Sequence, residues 1–155
     1  MLIYDQLTNS QNRLGLEIKI SELISSRNKR FSMIFIDLDY FKTINDTYGH
    51  AEGDIALKNV VSLFKLTFKN TGQVFRMGGD EFVILVYSNK ADRLERLIHK
   101  LHMTFDRYNQ DSRKPYTLQF SYGYDIFNSN FNNIEEYLSH IDNLMYNNKK
   151  SKKAR

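Results

Sequence analysis

Phe31-Ser32-Met33-Ile34-Phe35-Ile36-Asp37-Leu38-Asp39-Tyr40-Phe41-Lys42 is the stretch on which the fold turns. Its first eight residues form an almost wholly apolar run of strand length, which reads as a central strand buried on both faces. Period-2 alternation puts Asp37 and Asp39 on one face of the strand end, with Leu38 on the other. Carboxylates at the end of a buried strand are costly unless solvated, paired or bound to a cation. Magnesium suits such groups, because it takes one or two carboxylates and leaves its other positions to water and phosphate oxygens. Helix capping is the alternative, with Asp39 as N-cap of a short helix opening at Phe41-Lys42-Thr43-Ile44; Asp37 lies ahead of that position.

A second acidic pair follows downstream in Gly78-Gly79-Asp80-Glu81-Phe82. This segment joins two strand-like runs, Gln73–Met77 and Phe82–Tyr87. A Gly-Gly link between such runs predicts a hairpin, since glycine tolerates the positive φ that tight turns need. Asp80 and Glu81 are then expected at the start of the outgoing strand. Carboxylates beside bare glycine backbone suit the approach of a charged ligand neutralised by a metal ion, although most Gly-Gly hairpins are only turns. If the hairpin lies beside strand 31–38, Asp37 and Asp80 converge.

Outward from these motifs the chain alternates helix and strand without repeats or low-complexity linkers. A first helix is expected from Thr8 or Ser10 to about Ser26, running through Leu14, Leu16, Ile18, Ile20, Leu23 and Ile24. Helices near 41–46, 51–69, 91–109 and 133–149 follow, with a last strand at 116–127 after the single proline, Pro115, which breaks no ladder bond there. This order predicts an α/β (α+β) sheet covered by helices rather than a bundle.

At 155 residues the chain has the length of one domain, 1–155, with room for a substantial core. The absence of cysteine excludes disulfides, thiol chemistry and Cys-based zinc sites. No apolar stretch approaches the ~18 residues that cross a membrane, and the N-terminus lacks a signal-peptide pattern. A cytoplasmic location is expected, with any sensor or membrane region lying outside this stretch. The net charge of +4 is concentrated at the end: Lys149–Arg155 holds five of the 22 basic residues, leaving 17 against 18 acidic ones. No broad basic face for duplex nucleic acid is expected. The end 149–155 can be a solvated tail. Its phase offers another reading, because Lys149 continues the helical stripe of Ile134, Leu138, Ile141, Leu144 and Met145 and is thereby turned towards the body.

Between strand and hairpin lies Asn45-Asp46-Thr47-Tyr48-Gly49-His50-Ala51-Glu52-Gly53-Asp54, expected to be a structured loop opening the next helix. An amide supplies both donor and acceptor and a carboxylate accepts from two N–H groups, so Asn45 and Asp54 can read a guanine edge. Unmatched polar groups would make such a pocket reject adenine. Spacing alone equally allows both to be turn and cap residues.

Together, Asp37–Asp54 and Gly78–Phe82 closely resemble the GGDEF domains of bacterial diguanylate cyclases. The resemblance runs from Asp5-Gln6-Leu7-Thr8 and Asn12-Arg13, through Phe120-Ser121-Tyr122-Gly123, to Ile141–Lys149. It implies a mainly antiparallel sheet flanked by helices, related to class III nucleotide cyclases and polymerase palms. It also implies condensation of two GTP into cyclic di-GMP with release of two pyrophosphates. Asp37, the Leu38 carbonyl and Asp80 would hold magnesium, two ions per active site, with Mn2+ as the alternative ion. Asp80, with Glu81, would help activate the ribose 3′-hydroxyl. Asn45 and Asp54 would read guanine, and His50 would contact the nucleotide. Lys42, Lys149 and Lys153 would meet phosphates, and Gly78 and Gly79 would let backbone approach them. Each site holds one GTP, so a homodimer, transient or stable, is implied. No Gly-x-x-x-x-Gly-Lys-Ser/Thr loop is present, which excludes a P-loop enzyme.

The chain departs from the family pattern in several places. Thr8-Asn9-Ser10-Gln11-Asn12-Arg13-Leu14 replaces Thr-Gly-Leu-x-Asn-Arg-Arg, Met77 stands for an aromatic, and Lys153 stands for arginine, losing its bidentate fork. Lys69-Asn70-Thr71-Gly72 replaces the inhibitory Arg-x-x-Asp, so no product inhibition is expected through that site. Two other readings compete with the cyclase. One is a GGDEF module that binds GTP or a partner protein in a regulatory role. The other is a cyclase making a mixed dinucleotide, against which Asp54 argues.

Overall fold

The computed structural model describes residues 2–153. Its core is a five-stranded sheet in the order β1-β3-β4-β2-β5. The strands are β1 (Gln11–Asn12), β2 (Ser32–Leu38), β3 (Gly72–Gly78), β4 (Glu81–Val86) and β5 (Phe120–Ile126). All neighbours are antiparallel except the short β1, which runs parallel to β3. The helices are α1 (Arg13–Ser25), α2 (Phe41–Tyr48), α3 (His50–Thr67), α4 (Ala91–Asp111) and α5 (Ile134–Lys153).

The apolar run of β2 forms the middle of the molecule. Ile34, Ile36 and Leu38 pack with Leu57, Val60 and Phe64 of α3 and Leu94, Ile98 and Leu101 of α4. Met33 and Phe35 face the opposite way, onto Leu16 and Ile20 of α1 and Leu138, Ile141 and Met145 of α5. Both faces of the sheet are thus covered, and β4 and β5 satisfy both edges of β2. Tyr137, fully buried, donates its hydroxyl to the Asp125 carbonyl and accepts from the Met33 amide, fixing the start of α5 against the sheet.

Several sequence expectations need correction. The first helix starts at neither Thr8 nor Ser10. Its N-cap is Asn12, whose side chain accepts from the Gly15 amide. Thr8 and Ser10 are buried instead in a turn organised by the Asp5 carboxylate, which accepts from the Thr8 amide and hydroxyl. The segment 45–54 is not a loop. Its residues belong to two consecutive helices separated only by Gly49, whose φ of 92° suits glycine and breaks the helical path. The last strand begins at Phe120 rather than 116, because the Asn109 side chain engages both the amide and the carbonyl of Leu118 and holds that segment as a loop. The basic end is helical as far as it is described; Ala154 and Arg155 lie outside the described residues. No helix among the described residues is long and apolar enough to cross a membrane.

Helix α5 lies directly on β5 where Gly123 removes the side chain between them. A Cβ at Gly123 would come within 2.2 Å of the Met145 nitrogen and 2.4 Å of the Ile141 carbonyl oxygen. Both are backbone atoms, so relief requires lifting the helix. Gly123→Ala is therefore expected to destabilise the protein by about 2–3 kcal/mol, read by chemical denaturation.

Candidate active site

The acidic motifs meet where β2 and β4 run side by side. Asp37 pairs in register with Glu81, and the Leu38 amide donates to the Asp80 carbonyl at 3.2 Å. The hairpin is displaced by one residue from the expected one. Gly78 ends β3 and Glu81 begins β4, so Gly79 and Asp80 form the turn, with an irregularity in the ladder between Arg76 and Gly78. Gly79 has a φ of 51°. Asp80 is consequently aimed from a turn, not from a strand. Arg76 fixes the turn: its guanidinium donates to the Gly79 carbonyl at 2.9 Å and to the Asp5 carboxylate at 3.0 Å. Arg76 and Asp5 are 71 residues apart, so spacing within either motif does not disclose this brace.

Asp37 and Asp80 interact through their side chains. Burial, then the nearby Asp37 carboxylate, push the Asp80 carboxyl up from 3.8 to about 6. Burial, with Asp37 and Asp142 nearby, also raises Glu81, which is exposed on the strand start. Arg13 and, at closer range, Lys149 answer this negative charge. Lys149, from α5, donates to Asp37 Oδ2 at 2.7 Å. Burial opposes its ammonium charge, but Asp37, Asp39 and Asp80 outweigh that and raise its pKa. The helical phase of Lys149 did deliver it to the body. The other oxygen, Asp37 Oδ1, is buried without a hydrogen-bond partner. A buried carboxylate oxygen with no donor is costly, and a cation is its natural complement.

Asp39 neither caps a helix nor joins this pair. Tyr40, at a left-handed φ of 59°, stands between it and α2, and α2 has no side-chain cap. Asp39 is 6% exposed and accepts from the Ser121 hydroxyl at 2.6 Å and from Lys152.

Beside these groups opens a cleft of about 360 Å³. Leu38, Lys42, Asp80, Lys149 and Lys153 all line it, as does Lys152. Lys42 is highly exposed and pairs with Asp46 at 3.0 Å. Asn45, His50 and Asp54 do not line the cleft. They sit at the α2–α3 corner beyond Phe41, which lines the cleft and approaches Gly53. Gly53 leaves room for the half-buried Asn45, whose oxygen would lie 1.8 Å from a Cβ there. Asp54 and His50 are exposed on the first turns of α3. Glu52 is held at this corner by Lys114 at 2.8 Å and by the Tyr116 hydroxyl at 2.7 Å. The site residue that sequence reasoning missed is Lys152. Its only signal was one more lysine on the face shared by Lys149 and Lys153.

A mainly antiparallel sheet sandwiched by helices, with carboxylates from a central strand and an adjoining hairpin turn, defines a domain of the nucleotide-cyclase and palm kind. The profile of the family "Diguanylate cyclase, GGDEF domain" matches residues 2–155, and the chain belongs to that family. It is 30% identical over 149 residues to the bifunctional diguanylate cyclase/cyclic di-GMP phosphodiesterase MucR of Pseudomonas aeruginosa, covering 94% of this chain and 22% of that protein. It is 28% identical over 154 residues to the probable diguanylate cyclase DgcC of Escherichia coli, covering 97% of this chain and 42% of that protein. The chain thus spans less than half the length of these relatives. The GGDEF domain of TpbB (YfiN) from Pseudomonas aeruginosa superposes with a TM-score of 0.83 at 26% identity, covering 96% of this chain and 89% of that one.

The raised Asp80 carboxyl has a measurable consequence. Its folded pKa of about 6 exceeds the ordinary 3.8, so the folded protein holds this proton more tightly. Its contribution to stability is therefore lost as pH rises from about 4 to 6. Asp80→Asn, which cannot ionise, is expected to raise the melting temperature of metal-free protein by about 3 °C at pH 8. That gain should vanish at pH 4, read by thermal unfolding in chelator.

Proposed function

We propose that this chain is a metal-dependent diguanylate cyclase that condenses two GTP molecules into cyclic di-GMP, releases two pyrophosphates, and acts as a two-fold dimer. The observation that carries this reading is the convergence of Asp37 and Asp80 beside a lysine-lined cleft in a GGDEF fold. The donor set fits magnesium, or manganese in its place. Asp37 presents an unpartnered buried oxygen, Asp80 faces it, and the Leu38 carbonyl ends the same strand. Among the described residues no three His, Cys, Asp or Glu side chains cluster for a metal. Two carboxylates and a carbonyl are nevertheless enough for ions that keep water and phosphate oxygens as their other ligands. When bound, two such ions would neutralise the phosphates and acidify the attacking hydroxyl.

The chain's own groups supply positioning and charge, which is most of what phosphoryl transfer asks of a protein. Lys42, Lys149 and Lys153 would hold the triphosphate in the cleft. Gly78 and Gly79, with nothing within 4 Å of a Cβ built at either, leave open space for phosphate oxygens beside the backbone. Asn45 and Asp54 would read guanine at the α2–α3 corner, with His50 at its edge. Asp80, assisted by Glu81, would help activate the ribose 3′-hydroxyl. One GTP per site supplies one nucleophile and one leaving group. Closing both phosphodiester bonds therefore requires two domains face to face.

Incubation with GTP and magnesium, with products separated and weighed, tests the reading. Cyclic di-GMP is expected, rising more steeply than linearly with protein concentration, and Asp80→Ala should abolish it. GTP binding without any product at high protein concentration would overturn the cyclase in favour of a regulatory GTP-binding module.

A further inference from the structure

Among the lysines of α5 that line the cleft, Lys152 is the one that the proposed chemistry does not use. Lys152 Nζ is bonded to the Asp39 carboxylate and donates to the Phe120 carbonyl at 2.6 Å. Asp39 is itself embedded: its amide donates to the Gln119 carbonyl at 2.8 Å, and its Oδ1 accepts from Ser121 at 2.6 Å. Lys152 therefore ties the last turn of α5 to the end of β2 and the start of β5. It also lines the cleft that Lys149 and Lys153 share.

The physical need for such a tie is clear. The last four carbonyls of a helix lack intrahelical partners, and the final turn frays. Here that turn bears two of the lysines facing the cleft. Upstream, α5 is secured at each step: by close packing at Gly123, by the Tyr122 amide donating to the Asn148 side chain at 3.0 Å, and by Lys149 on Asp37. Beyond Lys149, Lys152 is the residue that bonds the helix to the sheet among the described residues. Without Lys152, Asp39 would remain as a buried carboxylate without its cation, lining the space proposed for phosphates.

We propose that Lys152 is a positioning residue for the triphosphate: through Asp39 and the Phe120 carbonyl it pins the end of α5 so that Lys149 and Lys153 face the cleft. It touches no reacting atom and acts through its neighbours. The inference rests on the cleft being the phosphate site.

Binding of inorganic pyrophosphate with magnesium to the full chain, measured calorimetrically, tests it together with steady-state GTP kinetics. Lys152→Met is expected to weaken pyrophosphate and raise the KM for GTP about tenfold, with kcat changed less, a size usual for supporting partners of a ligand site. Lys152→Arg should restore affinity to within about twofold, since it keeps the cation. Asp39→Asn should also weaken pyrophosphate, and the double variant should be no weaker than the worse single one, because the two residues act as one unit. Unchanged pyrophosphate affinity in Lys152→Met, even with a lower melting temperature, would reduce the pair to a structural brace and overturn the proposal. Tighter pyrophosphate binding in Asp39→Asn would also overturn it, making Lys152 a direct phosphate ligand restrained by Asp39. Should Lys152→Met fail to fold, Lys152→Arg and Asp39→Asn carry the comparison. Failure of the unaltered chain to bind either pyrophosphate or GTP would instead sink the phosphate-site reading beneath it.

Discussion

Burial of β2 is the constraint from which the rest of the structure follows. Its edges are hydrogen-bonded to β4 and β5, and its faces are covered by α3 and α4 on one side and by α1 and α5 on the other. Such a strand can carry no charge along its length, which is why its middle is uniformly apolar. Charge becomes tolerable only where the cover ends, at Asp37 and Asp39. These carboxylates are still largely shielded from water, so each needs a counter-charge. The site can be understood as the set of partners that this strand end requires.

Those partners come from elements remote in sequence. The hairpin turn brings Asp80 against Asp37, which worsens the repulsion and pushes Asp80 towards protonation. Helix α5 relieves it with Lys149, and three residues later supplies Lys152 to Asp39. Spacing of three and four along a helix keeps Lys149, Lys152 and Lys153 on one side, so a single helix serves both carboxylates and lines the cleft. Even so, one oxygen of Asp37 stays unpartnered. A fold selected only for stability would be better off without that defect, and under the proposed function it is where a cation would sit.

Much of this was legible in the chain. The apolar run 31–38, the acidic ends and the glycine pair predicted the buried strand and the hairpin, and left their convergence conditional on the two lying side by side, as they do. The stripe through Ile141 and Met145 predicted that Lys149 would turn inward. Where structure and local preference differ the cause is shared: tertiary partners outcompete the local one. Thr8 and Ser10 are good capping residues, but Asp5 and Arg76 engage the turn they occupy, and Asn12 takes the cap. Asp39 is an equally plausible cap, but Ser121 and Lys152 claim its carboxylate. The polar, glycine-containing segment 45–54 resembles a loop, yet a single left-handed glycine suffices to turn one helix into the next.

The sequence by itself determined the alternation of elements, the buried strand and the residue types of the site, because hydrophobic period and turn chemistry are local properties written in neighbouring residues. Only the tertiary structure decided which carboxylates share a charge and which are already spoken for. It also decided that Asp80 sits in the turn, that Arg76 braces it, and that Lys152 anchors the helix end. The Arg76–Asp5 and Lys152–Asp39 pairings span 71 and 113 residues. Competition among several eligible partners is settled by distance and burial, and neither exists until the sheet and helices have packed.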